Sequence, residues 1–190
     1  NQSHIYNDSG DCVQSLSQIN LIPLGQEKAS FTLEEVQELF QKNETNRVKT
    51  NIGVISIESP VRRKTGELFD FAEMQKISAF AKEKNIKMHL DGARIFLASA
   101  YTGIRPTEYA SHFDTVYVSL YKYFNAASGA ILAGPKSVIE GMFHTRRMFG
   151  SGLHQSWPFV AAADYFMEGF EKRYAIAKSI SDEFIQKLKT

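Results

Sequence analysis

Hydrophobic and polar positions along the chain switch repeatedly between the spacing of a helix and that of a strand. The segment 31–42 (FTLEEVQELFQK) places apolar residues three or four positions apart, which is the spacing of one helical face. Thr32 and Glu35 add the sequence of a capping box at its start. A short apolar run rich in β-branched residues follows at 52–57 and ends at Glu58, so we predict a helix and then a buried strand.

The same alternation continues to the end of the chain. We predict helices from about 70 to 85, after Pro106, over 136–147 and over most of 159–188, and strands at 86–91, 115–122 and 129–134. Residues 1–24 are predicted to contain a turn, a possible helix and a short strand. Strands that alternate with helices of 10–15 residues indicate crossover units. The predicted fold is therefore α/β, with a mostly parallel sheet and helices on both faces.

Three of the predicted strands end on polar residues, namely Glu58, Asp91 and Lys122. Ligands of such sheets bind beyond the carboxyl ends of the strands. Taken singly, Asp91 could cap a turn and Lys122 could simply extend into solvent from a strand end. Together they suit pyridoxal phosphate, which needs a lysine for its Schiff base and an acidic group beside its pyridine nitrogen.

Composition excludes some function classes and leaves this hypothesis intact. The 190 residues are 43% apolar and 23% charged, and the net charge of +1 gives no electrostatic case for nucleic acid or an anionic membrane. Cys12 is the single cysteine, so no disulfide forms within the chain and a reducing, cytoplasmic compartment is expected. No cysteine and histidine cluster has the spacing of a zinc site, so no metal is expected. No run approaches the roughly 18 apolar residues of a membrane span.

Two segments carry a resemblance to a known family. The sequence HLDGARIF at 89–96, followed by SLYKYFNAASGAILAG at 119–134, resembles the threonine aldolase group of fold-type-I pyridoxal-phosphate enzymes. In that group a strand ends in a His-x-Asp-Gly-Ala-Arg motif and a later strand carries the Schiff-base lysine. The segments 3–11, 66–94 and 149–163 are similar to the family as well. The resemblance implies the large domain of an aspartate aminotransferase-like fold.

The resemblance also implies a role for each candidate residue. Lys122 would hold the cofactor as a Schiff base, and Asp91 would pair with its pyridine nitrogen. Arg94 would face the cofactor and bind the carboxylate of the amino acid substrate. His4 would stack on the cofactor ring and take part in proton handling. His154 stands where the family has an arginine that helps to hold the cofactor phosphate.

The implied activity is the cleavage of a β-hydroxy amino acid, such as threonine, to glycine and an aldehyde, in a cytoplasmic homodimer or homotetramer. Tyr121 and Tyr123 flank the lysine where the family favours small residues, so we expect them to crowd or reshape the pocket. Residues 1–190 would be the central part of the large domain, with a phosphate-binding loop before them and a small domain after them. Two alternatives stay open: a β-eliminating lyase or aminotransferase on the same fold, and a scaffold that lost the cofactor.

Two further polar residues lie on the predicted strands. Glu58 is either a partner that supports the site or only a turn residue. His89 is predicted to be a core residue that forms a hydrogen bond behind the site. His112 and His144 are predicted to be exposed.

Overall fold

A computed structural model describes residues 1–189 as an α/β fold. The strands are β1 (Val54–Glu58), β2 (Lys87–Asp91), β3 (Thr115–Ser119) and β4 (Ala130–Ala133). The helices are α1 (His4–Asp8), α2 (Gly10–Ser17), α3 (Leu33–Thr45), α4 (Phe71–Glu83), α5 (Ile95–Thr102), α6 (Pro106–Ala110), α7 (Lys136–Ile139), α8 (Met142–Met148), α9 (Trp157–Met167) and α10 (Phe170–Leu188). Within residues 1–189, no helix combines the length and the apolar character needed to cross a bilayer.

The four strands form one sheet in the order β1-β2-β3-β4. The first three strands are parallel to one another, and β4 runs antiparallel to β3. Crossovers that contain α4 and α6 join the parallel strands, as the alternation of patterns predicts. The prediction of an α/β fold with a mostly parallel sheet is confirmed.

One face of the sheet forms the centre of the core. Side chains alternate between the two faces of a strand, so Ile57, Leu90 and Val116, which are neighbours in the strand register, lie on the same face. They belong to the same buried cluster as Met74 and Ile77 of α4. The sheet and α4 therefore bury each other's apolar side chains.

Helix starts follow the capping signals in the sequence. The Thr32 hydroxyl accepts a hydrogen bond from the Glu35 backbone N–H at 3.3 Å, and the Glu35 carboxylate accepts one from the Thr32 N–H at 2.8 Å. Asp70 caps α4 by accepting a hydrogen bond from the Glu73 N–H at 2.9 Å. These bonds satisfy amide groups that have no partner inside a helix.

Several boundaries differ from the prediction. The short strand expected within 1–24 is wrong, because α1 and α2 occupy residues 4–8 and 10–17 and no strand forms there. The single helix expected over 159–188 is divided at Gly169, whose φ of +64° is left-handed, and the one over 136–147 is divided at Gly141, whose φ is +87°. Glycine in this conformation ends a helix, because other residues adopt it at a cost.

Two other differences concern the segments that carry the candidate chemistry. α5 begins directly after Arg94 and was not predicted, because the sequence of this helix is apolar on most of its surface and shows no amphipathic contrast. β3 ends at Ser119, so the strand predicted over 115–122 is too long. Lys122 lies in the turn that follows, where the Phe124 N–H donates to the Leu120 carbonyl at 3.0 Å.

Candidate active site

The carboxyl ends of β1, β2 and β3 bring three polar side chains into one row. Asp91 is the last residue of β2, and its register partners are Glu58 on β1 and Tyr117 on β3. Partners in the register of a parallel sheet point to the same face. Two carboxylates and a phenol therefore lie side by side at the edge where ligands of such sheets bind.

Local geometry explains why glycine follows Asp91 in the sequence. A Cβ atom on Gly92 would lie 3.0 Å from the Tyr117 carbonyl oxygen and 3.4 Å from the Ile95 Cβ. A side chain at this position would press the start of α5 against β3. One Asp91 carboxylate oxygen, Oδ1, accepts a hydrogen bond from the Ala93 N–H at 3.1 Å. Within residues 1–189 the other oxygen, Oδ2, accepts no hydrogen bond.

Arg94 stands at the start of α5, three residues after Asp91, and is half-buried. In the described part of the chain its guanidinium forms no ion pair with a carboxylate. The positive charge of Arg94 acts on the Tyr123 phenol. Burial raises the pKa of Tyr123, and the Arg94 guanidinium partly offsets this rise. Arg94 is therefore a half-buried cation that has kept its capacity to bind an anion.

Lys122 is half-buried beside an aromatic ring. Its Nζ lies 5.2 Å from the centroid of the Tyr121 ring, within the range of a cation–π interaction. Tyr121 is half exposed, whereas the Tyr123 ring packs in an aromatic cluster, with ring centroids 5.4 Å from Phe96 and 5.6 Å from Phe170. The two tyrosines therefore play different parts: Tyr121 contacts the amine, and Tyr123 packs in the core.

Tyr117 and Ser119 link the row of strand ends to Tyr121, the residue beside the lysine. The buried Ser119 hydroxyl donates a hydrogen bond to the Tyr117 hydroxyl at 3.3 Å, and burial raises the pKa of Tyr117. For Tyr121 burial also acts to raise the pKa, but a hydrogen bond with Ser119 and the charge of Lys122 hold it below its ordinary value. Sequence reasoning missed Tyr117, although its place two residues before Ser119 on an alternating strand puts both on one face.

Glu58 joins His4 to the same edge. The buried Glu58 carboxylate, 6% exposed, accepts hydrogen bonds from the backbone N–H groups of His4 and Arg62, the second at 3.0 Å. A buried carboxylate satisfied by two amides is a firm anchor. Because Glu58 is the register partner of Asp91, this anchor places the start of α1 beside the Asp91 strand end. Glu58 therefore holds both the start of α1 and the turn after β1, and its part in a site stays a prediction.

Two other histidines lie outside this row of strand ends. His154 is exposed in the turn between α8 and α9 and forms no hydrogen bond with Asp91 or Lys122, so its predicted role stays a prediction. The Nδ1 atom of His89 lies 2.8 Å from the Thr115 Oγ1, and burial lowers the pKa of the imidazole. This agrees with the interpretation of His89 as a hydrogen-bonded residue behind the site.

The set of side chains fits pyridoxal phosphate at two of its atoms. Among residues 1–189 one Asp91 carboxylate oxygen accepts no hydrogen bond, so it is available to a protonated pyridine nitrogen. Lys122 supplies a primary amine in an aromatic setting for the aldehyde carbon.

Comparison with known proteins agrees with this chemistry. The family model described as "Beta-eliminating lyase" matches residues 1–183. The low-specificity L-threonine aldolase of Candida albicans is 37% identical over 133 residues, which are 68% of this chain and 35% of that protein. A crystal structure of a candidate L-allo-threonine aldolase from Listeria monocytogenes matches with a TM-score of 0.78 and 31% identity, over 91% of this chain and 46% of the other.

A second solved structure, a candidate aromatic amino acid beta-eliminating lyase/threonine aldolase from Exiguobacterium sp. 255-15, matches with a TM-score of 0.77 and 31% identity. It covers 90% of this chain and 45% of that one. The chain therefore spans less than half the length of these relatives.

Proposed function

The chain belongs to the beta-eliminating lyase family, and from this premise we propose that it forms part of a pyridoxal-phosphate-dependent aldehyde-lyase. Its predicted resemblance to threonine aldolases is confirmed by relatives of that name. The proposed reaction breaks the Cα–Cβ bond of a β-hydroxy amino acid such as threonine and yields glycine and an aldehyde. The observation that supports the proposal most is the order of the elements: Asp91 ends β2, Arg94 follows it at the start of α5, and Lys122 lies in the turn after the neighbouring parallel strand β3.

Three residues would hold the cofactor. Lys122 offers the amine that bonds to the cofactor aldehyde, and the Asp91 carboxylate offers the negative charge that favours a protonated pyridine nitrogen. When bound, pyridoxal phosphate supplies the electron sink that accepts the pair released from the Cα–Cβ bond. His154 would contribute to phosphate binding, as the resemblance implies.

Two other residues would act on the substrate. Arg94 has no carboxylate partner within residues 1–189, and its planar fork suits bidentate binding of the substrate carboxylate. His4, anchored beside the Asp91 strand end through Glu58, would accept the proton of the β-hydroxyl group. Departure of this proton allows the aldehyde to form as the carbon–carbon bond breaks.

The length of the relatives bears on the organisation of the protein. We infer from the resemblance to threonine aldolases that residues 1–190 form the central part of a cofactor-binding large domain; the chain spans less than half the length of the relatives named above. A homodimer or homotetramer with a site between subunits follows from the same resemblance. The single cysteine, which is exposed in α2, supports a reducing and hence cytoplasmic location.

A second candidate reaction uses the same residues. Elimination of a β-substituent would need the same cofactor, lysine and substrate carboxylate site, and the similarity to the Exiguobacterium protein favours it. The two reactions differ in their products: cleavage gives glycine and an aldehyde, whereas elimination gives ammonia and a keto acid.

An absorbance titration with pyridoxal phosphate tests the proposal. We expect a visible band that moves when glycine or threonine is added, and that is lost in Lys122→Ala. Lys136→Ala is the matched control, because this lysine is exposed on α7 and, within residues 1–189, forms an ion pair with Glu140 only. Glycine and acetaldehyde from threonine would support cleavage, and ammonia would support elimination. A band of equal strength in Lys122→Ala, or no band in the wild-type protein, would overturn the assignment.

A further inference from the structure

Asp8 holds the imidazole of His4 from within the same helix. The two residues lie one turn apart in α1, and the His4 Nδ1 is 2.7 Å from the Asp8 Oδ2. Residues four apart on a helix are neighbours on its surface, so this contact needs no unusual geometry. The imidazole itself remains half exposed, with 49% of the side chain accessible.

Two arginines also bind the Asp8 carboxylate. The Arg62 Nη2 donates to the same Oδ2 atom at 2.8 Å, and the Arg63 guanidinium donates to Oδ1. Both arginines lie in the turn after β1, where the Arg62 backbone N–H is bound by Glu58. The turn that follows β1, the strand next to Asp91, therefore carries the two cations that bind Asp8.

These contacts determine which atom donates the proton between Asp8 and His4. Hydrogen bonding to His4 and Arg63 lowers the pKa of Asp8, so its carboxyl group is ionised at neutral pH. An ionised carboxylate only accepts hydrogen bonds, so the His4 Nδ1 must carry the proton. A neutral imidazole has one N–H, which leaves the lone pair on Nε2. Within residues 1–189 this Nε2 atom has no hydrogen-bond partner.

We propose that Asp8, clamped by Arg62 and Arg63, is a positioning residue that fixes His4 in the Nδ1–H form and presents Nε2 as the proton acceptor. The inference rests on the proposed function, in which His4 receives the proton of the substrate β-hydroxyl. Glu58 fixes the backbone of His4 and Asp8 fixes its ring, so two carboxylates define where the basic nitrogen stands. General base catalysis contributes about 10²–10⁴ in rate, and loss of the correct tautomer removes part of it.

The test combines a spectroscopic measurement with kinetics on the full-length protein. Nitrogen-15 NMR of the His4 imidazole should show a protonated Nδ1 in the wild type and a mixture of tautomers in Asp8→Ala. The kcat for cleavage of threonine should fall about tenfold to a hundredfold in Asp8→Ala, with KM changed less than threefold, and Asp8→Glu should restore part of it. Asp11→Ala is the matched control, because Asp11 is an exposed carboxylate on α2 that, in the described part of the chain, accepts a hydrogen bond from the Cys12 backbone N–H only.

The outcomes separate the inference from the function on which it rests. A protonated Nε2 in the wild type, or a tautomer and a kcat that do not respond to Asp8→Ala, would overturn the role of Asp8. If the wild type cleaves no β-hydroxy amino acid while the tautomer still depends on Asp8, the proposed function fails and the pairing stands. An equal loss of kcat in Asp11→Ala would show that the loss comes from removing a negative charge near α1 and α2, and would overturn the specific role of Asp8.

Discussion

The sheet region, residues 52–120, and the helical region, residues 134–189, are both rich in apolar side chains but bury them to very different degrees. α4 alone places four buried residues against the sheet. In the helical region α7, α8 and α10 contain no buried residue, and α9 contains only Ala163. Large side chains such as Met148, Trp157 and Tyr165 are each at least 70% exposed.

The difference shows that periodicity and burial are separate properties. Apolar spacing sets which residues share a helical face, but burial requires an opposing surface. The sheet provides that surface for α4, whereas α10 touches mainly α5 and leaves Ile180 and Phe184 exposed. The sheet region therefore supplies most of the stabilisation that the folded chain gains by burying apolar surface away from water. Asp91, Arg94 and Lys122 belong to or directly follow this packed part, which gives them fixed positions.

The largest expected effect comes from a cavity in the sheet region. Leu90 is 1% exposed and lies between Ile57 and Val116 in the register. Leu90→Ala should reduce the free energy of unfolding by about 2–5 kcal/mol, since it removes buried methyl groups and leaves a void. Denaturant unfolding followed by circular dichroism measures this change. A loss below about 1 kcal/mol would contradict the description of the sheet as the centre of the core.

Sequence reasoning succeeded where the signal is local. The cap at Thr32 depends on neighbouring residues, and it was predicted. The strand that ends on Asp91 was predicted from its apolar alternation, and β2 forms there over Lys87–Asp91. These features are decided within a few residues, so the sequence contains them.

Features that depend on distant packing were missed. The end of β3 at Ser119 is set by a turn that bonds to Gly129, and nothing near Lys122 in the sequence signals it. Tyr123 was expected to crowd the lysine, but its ring packs with Phe96 from α5, a helix that was not predicted. The contact between Asp8 and Arg62 joins residues 54 positions apart, which no local pattern indicates.

A smaller effect in the sheet region should appear as a dependence of stability on pH. Burial lowers the pKa of His89 from its ordinary value of 6.5. The unfolded chain therefore binds more protons than the folded chain between the folded pKa and 6.5. The free energy of unfolding should have its full value above pH 6.5 and decrease as the pH falls through this window. The decrease should be smaller than the loss expected for Leu90→Ala.

Urea unfolding at several values between pH 5.5 and 7.5 tests this dependence, above the range in which carboxylates titrate. In His89→Gln the free energy of unfolding should depend less steeply on pH, because the buried imidazole that resists protonation has been removed. His144→Gln is the control, since this histidine is exposed on α8. If the pH dependence of the free energy of unfolding were unchanged in His89→Gln, or reduced equally in His144→Gln, it would not arise from the burial of His89.

The smallest expected effect lies in the helical region, where a much larger side chain can be removed. Trp157 is 70% exposed, so Trp157→Ala should change the free energy of unfolding by no more than about 0.5 kcal/mol, although tryptophan is far larger than Leu90. Denaturant unfolding at two protein concentrations measures this change beside that of Leu90→Ala. A cost above about 1 kcal/mol would contradict the contrast between the regions. If that cost rose with protein concentration, a second copy of the chain would be covering the helices, because association stabilises the folded state by mass action.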